Sequence, residues 1–362
     1  MVRKTITVKL GRLTGEKDSF LSSQLSWSNE VAQYYVDMLS NSFTKSKRQI
    51  HKETYFHLRE SFPKLYSKCL QHIRDKVISS FRPGRTKGRS VGVMIDSQNF
   101  KLFLGDEVGI THFRGMLRFW GGDLPLVVSD WQMSQLKSAR EVKFVDIRRD
   151  KSGNGWTASF SCNYGEPAPR LGTRALGIDS GIRNIAVTGN GTFFSGKRLL
   201  HMRNEFRKHK RKHKRKHKRK QKGDRLRNLV RDANHKISRA IVREAADSGA
   251  SVIRLERLKH FRPRENLGRT LNYMLHGWSH AQLHQMIDYK ARLEGIRVEY
   301  VNPAYTSQTC SRCGSHGERD GAWFSCPSCG LRLDSDLNGS RNIGAAMCRA
   351  DGACGSAPRQ SP

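Results

Sequence analysis

The sequence predicts a multidomain α+β chain: an N-terminal β-barrel interrupted by a helical insertion, then an α/β domain with a small cysteine module set into it. Three observations predict it. Apolar residues recur near a 3.6-residue period between Leu21 and Phe43, then give way from Val91 to short β-rich runs. Three strand-like pieces after residue 172 lead into helix, strand, helix and strand. Four cysteines, Cys310, Cys313, Cys326 and Cys329, form two CxxC pairs. A length of 362 residues accommodates two to three domains, and 36% hydrophobic with 9% aromatic residues is enough to build a core.

The chain opens on a strand, with Val2, Thr5 and Val8 among alternating residues. Leu21, Leu25, Ala32, Tyr35, Leu39 and Phe43 then mark a long amphipathic helix. Residues 48–80 continue in helical style with aromatic and basic side chains mixed, until Arg82, Pro83, Gly84, Arg85, Lys87 and Arg89 make a basic loop. The helical insertion is therefore expected at 20–80. The runs KLFLGD, MLRFW, LPLVV and VKFVDIRR follow, and SGNG before WTASFSCNY signals a hairpin. With the opening strand they predict a barrel from 1–19 and 81–170, and GEPAPRLGT reads as a linker.

Beyond the linker, ALGIDSGI, NIAVTG and GTFFSG read as strands joined by tight turns. Leu226, Val230, Ala233, Ile237, Ile241 and Ala245 continue a basic helix up to the stop signal DSG at 247–249. VIRLERL is a buried strand, Leu283, Ile287 and Ala291 mark another helix ending at Gly295, and IRVEYVNP is a further strand. This order is that of a ribonuclease-H-like layer, expected at 171–305 and 331–350 around the cysteine module at 306–330, with a flexible tail at 351–362.

Lys and Arg number 66 against 32 Asp and Glu, a formal net charge of +34. Such a chain repels itself unless a polyanion supplies counter-charge, which points to nucleic acid. Acidic small molecules or an anionic membrane surface would also attract it, but neither explains the cysteine pairs. No stretch approaches the roughly 18 apolar residues of a membrane span, and MVRKTITVKLGRL alternates where a signal peptide would be continuously apolar. A cytoplasmic protein is expected, nucleoid-associated on DNA, or nuclear in a eukaryotic host.

Twelve of the sixteen residues at 207–222 are Lys or Arg, in four near-identical blocks; without them the chain would still stand at +22. As a helix the repeat places like charges four residues apart, a repulsion that phosphates relieve. Arg207, Lys208, Lys210, Arg211, Lys212, Lys214, Arg215, Lys216 and Lys218, with Arg82, Arg85, Lys87 and Arg89, are the candidate nucleic-acid contacts, lying along backbone without reading bases. The plainer alternative is a solvated, dispensable insertion. His209, His213 and His217 share helical spacing but sit among cations that would repel a metal.

Each CxxC pair can set two thiolates about 2.3 Å from one Zn²⁺, and the 12-residue knuckle between them closes a tetrahedral four-sulfur structural site. Gly314 and Gly330 follow the two pairs and supply the tight turns. Cys69, Cys348 and Cys354 are expected as free thiols and Cys162 as a small buried residue.

Asp179 ends an apolar strand, where its charge needs a cation or donor. Glu256 closes another apolar strand, and Asp336 precedes a helix whose N-terminus tolerates negative charge. Singly each is a turn former, a surface acid or a cap. Together they fit the layout in which an acid on the first strand, one after the fourth and one entering the last helix hold two divalent ions about 4 Å apart for phosphodiester hydrolysis.

LGIDSGIRNIAV, NHKISRAIV leading to VIRLERL, NPAYTSQTCSRCG, SCPSCG and DSDLNGSRNI resemble the signature blocks of the TnpB (OrfB) family of insertion sequences and of the related compact type V CRISPR nucleases, over about residues 172–347. The resemblance implies a RuvC-like nuclease domain split by a zinc ribbon. It also implies a protein that binds a guide RNA and cuts the DNA paired to it, double- or single-stranded, beside a short flanking motif. Asp179, Glu256 and Asp336 answer by position to the family's catalytic acids, with two Mg²⁺, or Mn²⁺ in their place, and one structural Zn²⁺. The N-terminal barrel and helical insertion then serve to grip RNA and DNA, and a monomer on its RNA is expected. Two positions depart from the family: Arg257 stands where Asp is frequent after the Glu, and Gly339-Ser340 where Ala-Ala is frequent after the Asn. A guide-dependent repressor that binds without cutting and a transposase that joins DNA ends are the alternatives.

Overall fold

The first strand, β1 (Val2–Leu10), buries Val2, Ile6, Val8 and Leu10, half-buries Lys4 and exposes Arg3, Thr5, Thr7 and Lys9, the period-2 pattern of a half-buried strand. A computed structural model describes residues 1–41, 46–81, 90–105, 113–150, 152–212, 216–257, 280–302, 307–348 and 354–355. The chain divides into two units, Met1–Gly165 and Glu166–Pro362.

In the first unit, α1 (Gly15–Asn41), α2 (Lys47–Ser61) and α3 (Ser67–Ser80) follow β1. Next come β2 (Val93–Asp96), β3 (Phe100–Leu104), β4 (Gly115–Phe119), β5 (Gly122–Val127), α4 (Asp130–Lys137), β6 (Glu141–Arg149) and β7 (Trp156–Tyr164). The seven strands form one antiparallel sheet in the order β2-β6-β7-β1-β5-β4-β3, so β1 lies at its centre, paired with β7 from Val2↔Tyr164 to Lys9↔Thr157. The sheet nearly closes. Its short end strands β2 and β3 share a turn, with the Asn99 amide donating to the Asp96 carbonyl, but no ladder joins them among the described residues. The SGNG hairpin joins β6 to β7, with Gly153 at φ +80° in the turn.

The helices depart from the sequence reading in two places. The first starts at Gly15, ahead of the expected 20, because the Asp18 amide donates to the Thr14 carbonyl and Glu16 and Asp18 suit a helix N-terminus. The other is α4, unforeseen in the sequence, although Ser129 and Gln132 make a capping box. Tyr35 and Leu39 of α1, Ile50 and Leu58 of α2, and Leu70 and Ile73 of α3 share one core.

The second unit runs β8 (Ala175–Asp179), β9 (Asn184–Thr188), β10 (Phe193–Ser195), α5 (Lys197–Lys212), α6 (Lys216–Asp247), β11 (Val252–Glu256), α7 (His280–Leu293) and β12 (Arg297–Val301). Then come β13 (Glu318–Asp320), β14 (Trp323–Ser325), β15 (Arg332–Asp334), α8 (Ser335–Ala345), β16 (Met347–Cys348) and β17 (Cys354–Gly355). The main sheet has the order β10-β9-β8-β11-β12-β17-β16, with β8, β11 and β12 parallel and β9 and β10 antiparallel. Two details differ from the expected boundaries. The small sheet β13-β14-β15 carries the cysteine module on to Asp334, and β17, within the expected flexible tail, pairs with β12.

Strand alternation gives the main sheet two different faces. Leu176 and Ile178 of β8 and Ile253 and Leu255 of β11 join Ile237, Ile241 and Ala245 of α6 and Leu283, Ile287 and Ala291 of α7 in one core. The alternate residues face α8. Gly177 packs so tightly there that a Cβ would collide with the Ser340 carbonyl and the Gly344 amide, and the Arg254 guanidinium donates to the Gly344 carbonyl oxygen at 2.7 Å.

Candidate active site

Asp179 follows Gly177 by two residues on β8, and Glu256 follows Arg254 by two on β11, so the period-2 rule puts both acids on the α8 face. The parallel register pairs Arg254 with Gly177 and Leu255 with Ile178, and its next step sets Glu256 beside Asp179. Asp336 reaches the same region from the first turn of α8. Asp334 caps that helix, its Oδ1 accepting from the amides of Asp336 at 2.9 Å and Leu337 at 3.3 Å. The nearby Asp334 is thereby engaged and Asp336 is turned toward the sheet, where the Asn184 side-chain amide donates to its Oδ2 at 2.9 Å.

The three acids feel one another. Burial, then the charges of Glu256 and Asp336, push the Asp179 carboxyl up to about 8, while Arg319 and the Ser180 amide pull the other way. A carboxyl in that state is short of positive charge, and three hard oxygen donors suit Mg²⁺ or Mn²⁺. Gly339 leaves room beside it: a Cβ there would stand 3.2 Å from Asp179 Oδ2. Two neighbours escaped the sequence reading. Asn184 begins β9, five residues after Asp179, and Arg319 projects from β13 with Nη2 3.6 Å from Asp336 Oδ1. An Arg in a turn-rich module carries no periodic signal, so Arg319 could be found only through the fold.

The Sγ atoms of Cys310, Cys313, Cys326 and Cys329 all lie within 4.8 Å of one another, with Cys310 and Cys329 3.6 Å apart and Cys313 and Cys326 3.5 Å apart. Zn–S bonds of about 2.3 Å in a tetrahedron need S···S spacings of roughly 3.8 Å, so the thiols fit zinc. Gly314 at φ +77° and Gly330 at φ +67° make the knuckle turns, and Phe324, Leu331 and Leu333 pack beneath. Hydrogen bonds from Ser315 draw Cys313 down to about 6. Cys329, despite the Leu331 amide that favours its thiolate, is pushed up to about 12 by desolvation and its cysteine neighbours. Such a split is expected where thiolates crowd one place, and a dication would hold all four ionised. Cys69 and Cys162 are buried free thiols.

Arg82, Arg85, Lys87 and Arg89 lie outside the described residues, as do the side chains of the repeat from 209 to 222. Arg207 is half-buried, and Lys208 is exposed and paired with Glu205 at 3.0 Å. Among the described residues no helix is long and apolar enough to cross a membrane.

Two segments of the chain are similar to known protein families. The OrfB_IS605 family model, described as "Probable transposase", matches residues 159–262, and the model "Cas12f1-like, TNB domain" matches 280–343. The CRISPR-associated endodeoxyribonuclease Cas12f1 of Sulfoacidibacillus thermotolerans is 35% identical over 164 residues, covering 44% of this chain and 35% of that protein. A TnpB-like protein of Aquifex aeolicus is 31% identical over 122 residues, covering 32% of this chain and 40% of its own. These two matches therefore span well under half of either relative. InsQ, a proposed RNA-guided DNA endonuclease of Escherichia coli, aligns over 351 residues at 24% identity, 88% of this chain and 78% of InsQ. The crystal structure of an AacC2c1-sgRNA-extended non-target DNA ternary complex shares the fold at a TM-score of 0.50 and 9% identity, over 82% of this chain and 58% of that one. Over the matched segments the chain is thus similar to TnpB-like proteins and to the Cas12f1 endodeoxyribonucleases.

Proposed function

We propose that the protein is an RNA-guided DNA endonuclease whose RuvC-like site is formed by Asp179, Glu256 and Asp336. The observation that carries the reading is the convergence of these acids on the α8 face of the sheet, with Asp179 raised to about 8 by burial and its two acidic neighbours. The names of Cas12f1 and InsQ as DNA endonucleases support it.

Two divalent cations, when bound, supply the positive charge that favours the attacking water and the departing oxygen in phosphodiester hydrolysis. The chain's own residues prepare the rest. Asp179, Glu256 and Asp336 would hold the cations, Asn184 fixes the rotamer of Asp336, and the Asp334 cap fixes the helix it rides on. Arg319 stands where it can face a scissile phosphate and favour the charge that develops as the P–O bond breaks. Cys310, Cys313, Cys326 and Cys329 would hold a structural zinc, closed to substrate by its four sulfurs. Base pairing with the guide would read the sequence, and the basic surface would grip RNA and DNA by their backbones.

The test is to purify the protein with its RNA, sequence that RNA, and challenge the complex with a plasmid library carrying the complementary target beside randomised flanks. Mg²⁺-dependent cutting in a subset of flanks is expected. Absence of cutting under every flank, with RNA bound, would leave the guided-repressor alternative.

A further inference from the structure

The fully buried Asn338, on the helix that carries Asp336, reaches away from the acids and into the cysteine module. Its Oδ1 accepts from the Ser311 amide at 2.9 Å and its Nδ2 donates to the Thr309 carbonyl at 2.7 Å. Asn342, one turn on, donates to the same carbonyl at 2.6 Å. Thr309 and Ser311 are the two neighbours of Cys310, whose own amide and carbonyl are tied into the knuckle through Ser315 and Gly314. A second tie stands at the start of α8, where the Ser335 amide donates to the Ala322 carbonyl at 2.8 Å.

The knuckle that zinc would fix thus holds α8 by three side-chain hydrogen bonds, two of them from a residue two positions after Asp336. Apolar packing alone would fill the space around Asn338. An amide that satisfies a donor and an acceptor on either side of one cysteine instead fixes the register and direction of the helix, since a shift of either partner strands buried polar groups.

We propose that Asn338 is a positioning residue that couples the two metal centres: zinc in the ribbon sets the placement of Asp336, and a divalent cation at the acids in turn helps retain zinc. The proposal rests on the acid site being a cation site, as inferred above. Linkage makes the coupling reciprocal, so it can be read from zinc alone.

The experiment measures the equilibrium zinc affinity of the full-length protein, by competition with a zinc chelator of known affinity, with and without saturating Mg²⁺, alongside the Mg²⁺-dependent rise in Tm. In the wild type Mg²⁺ is expected to tighten zinc binding by about fivefold or more, the lower range of allosteric couplings. Asn338→Ala is expected to bind zinc less tightly and to lose the Mg²⁺ effect. Asn342→Ala, at a less buried position, is expected to weaken the effect. A residue that served stability alone would lower Tm and leave the Mg²⁺ effect intact. A wild-type Tm that rises with Mg²⁺ and does not do so in Asp179→Asn, together with zinc affinity indifferent to Mg²⁺ or tightened equally in the wild type and both variants, overturns the coupling and spares the acid-site reading. A wild-type Tm that Mg²⁺ does not move overturns both.

Discussion

Arg319 Nη2 stands 3.6 Å from Asp336 Oδ1, so the cysteine module brings a guanidinium to the edge of the acid cluster. It also lowers the proton affinity of Asp179. Arg319→Ala is expected to slow DNA cleavage by about 10²-fold with DNA binding little changed, as for loss of one preorganised donor to a developing anion. Single-turnover cutting and a filter-binding assay separate the two effects.

The raised pKa of Asp179 makes the metal-free protein sensitive to alkali. The unfolded chain releases this proton near 3.8, whereas the folded chain keeps it to about 8. Between those values the native state binds more protons than the unfolded one, so stability falls as pH rises. Mg²⁺, by favouring the carboxylate, should raise Tm by several degrees at pH 8 and by little at pH 5. Asp179→Asn should make the metal-free protein more stable at pH 8 and erase the Mg²⁺ response. Differential scanning calorimetry at the two pH values reads all of this, and an equal Mg²⁺ effect at both would contradict it.

Gly177 is where β8 and α8 meet backbone to backbone, two residues before Asp179. Gly177→Ala must push α8 off the sheet, because the added methyl meets the Ser340 carbonyl and the Gly344 amide, neither of which can rotate away. A loss of roughly 3 kcal/mol or more is expected, typical of severe overpacking. Gly165→Ala, which meets nothing within 4 Å, serves as the near-neutral control in the same denaturation series.

Much of this was legible in the sequence because it follows from periodicity and spacing. Leu176 and Ile178 alternate with Gly177 and Asp179, and Ile253 and Leu255 with Arg254 and Glu256, so the two strand acids share a face as soon as the strands are identified. The cysteine spacing likewise corresponds to thiols that lie within 4.8 Å. What escaped depends on tertiary approach. Asn184, Arg319 and Asn338 belong to three different elements, and their partners lie 152, 17 and 27 residues away in the chain. The helix α4 had a local signal, the Ser129 and Gln132 capping box, but only eight residues, too few for a clear 3.6-residue period. Nor does a run of alternating strands say whether a sheet closes, since that depends on strand order and length.

The basic repeat should act through salt. Replacing the Lys and Arg of 207–222 by Gln takes the net charge from +34 to +22. If the repeat lies on phosphates, the slope of log affinity against log salt should fall by roughly 0.7–0.9 for each phosphate no longer neutralised, with the position of the cut unchanged. An unaltered slope would assign the repeat to solvent.

The most direct measurement is single-turnover cleavage of DNA complementary to the copurified RNA, by the wild type and by Asp179→Ala, in Mg²⁺ and with target binding followed in parallel. Cutting by the wild type, with loss of about 10³-fold or more in the variant while binding persists, is the result expected if Asp179, Glu256 and Asp336 form the nuclease site. Equal cutting by both proteins, or binding without cutting by the wild type, would contradict it.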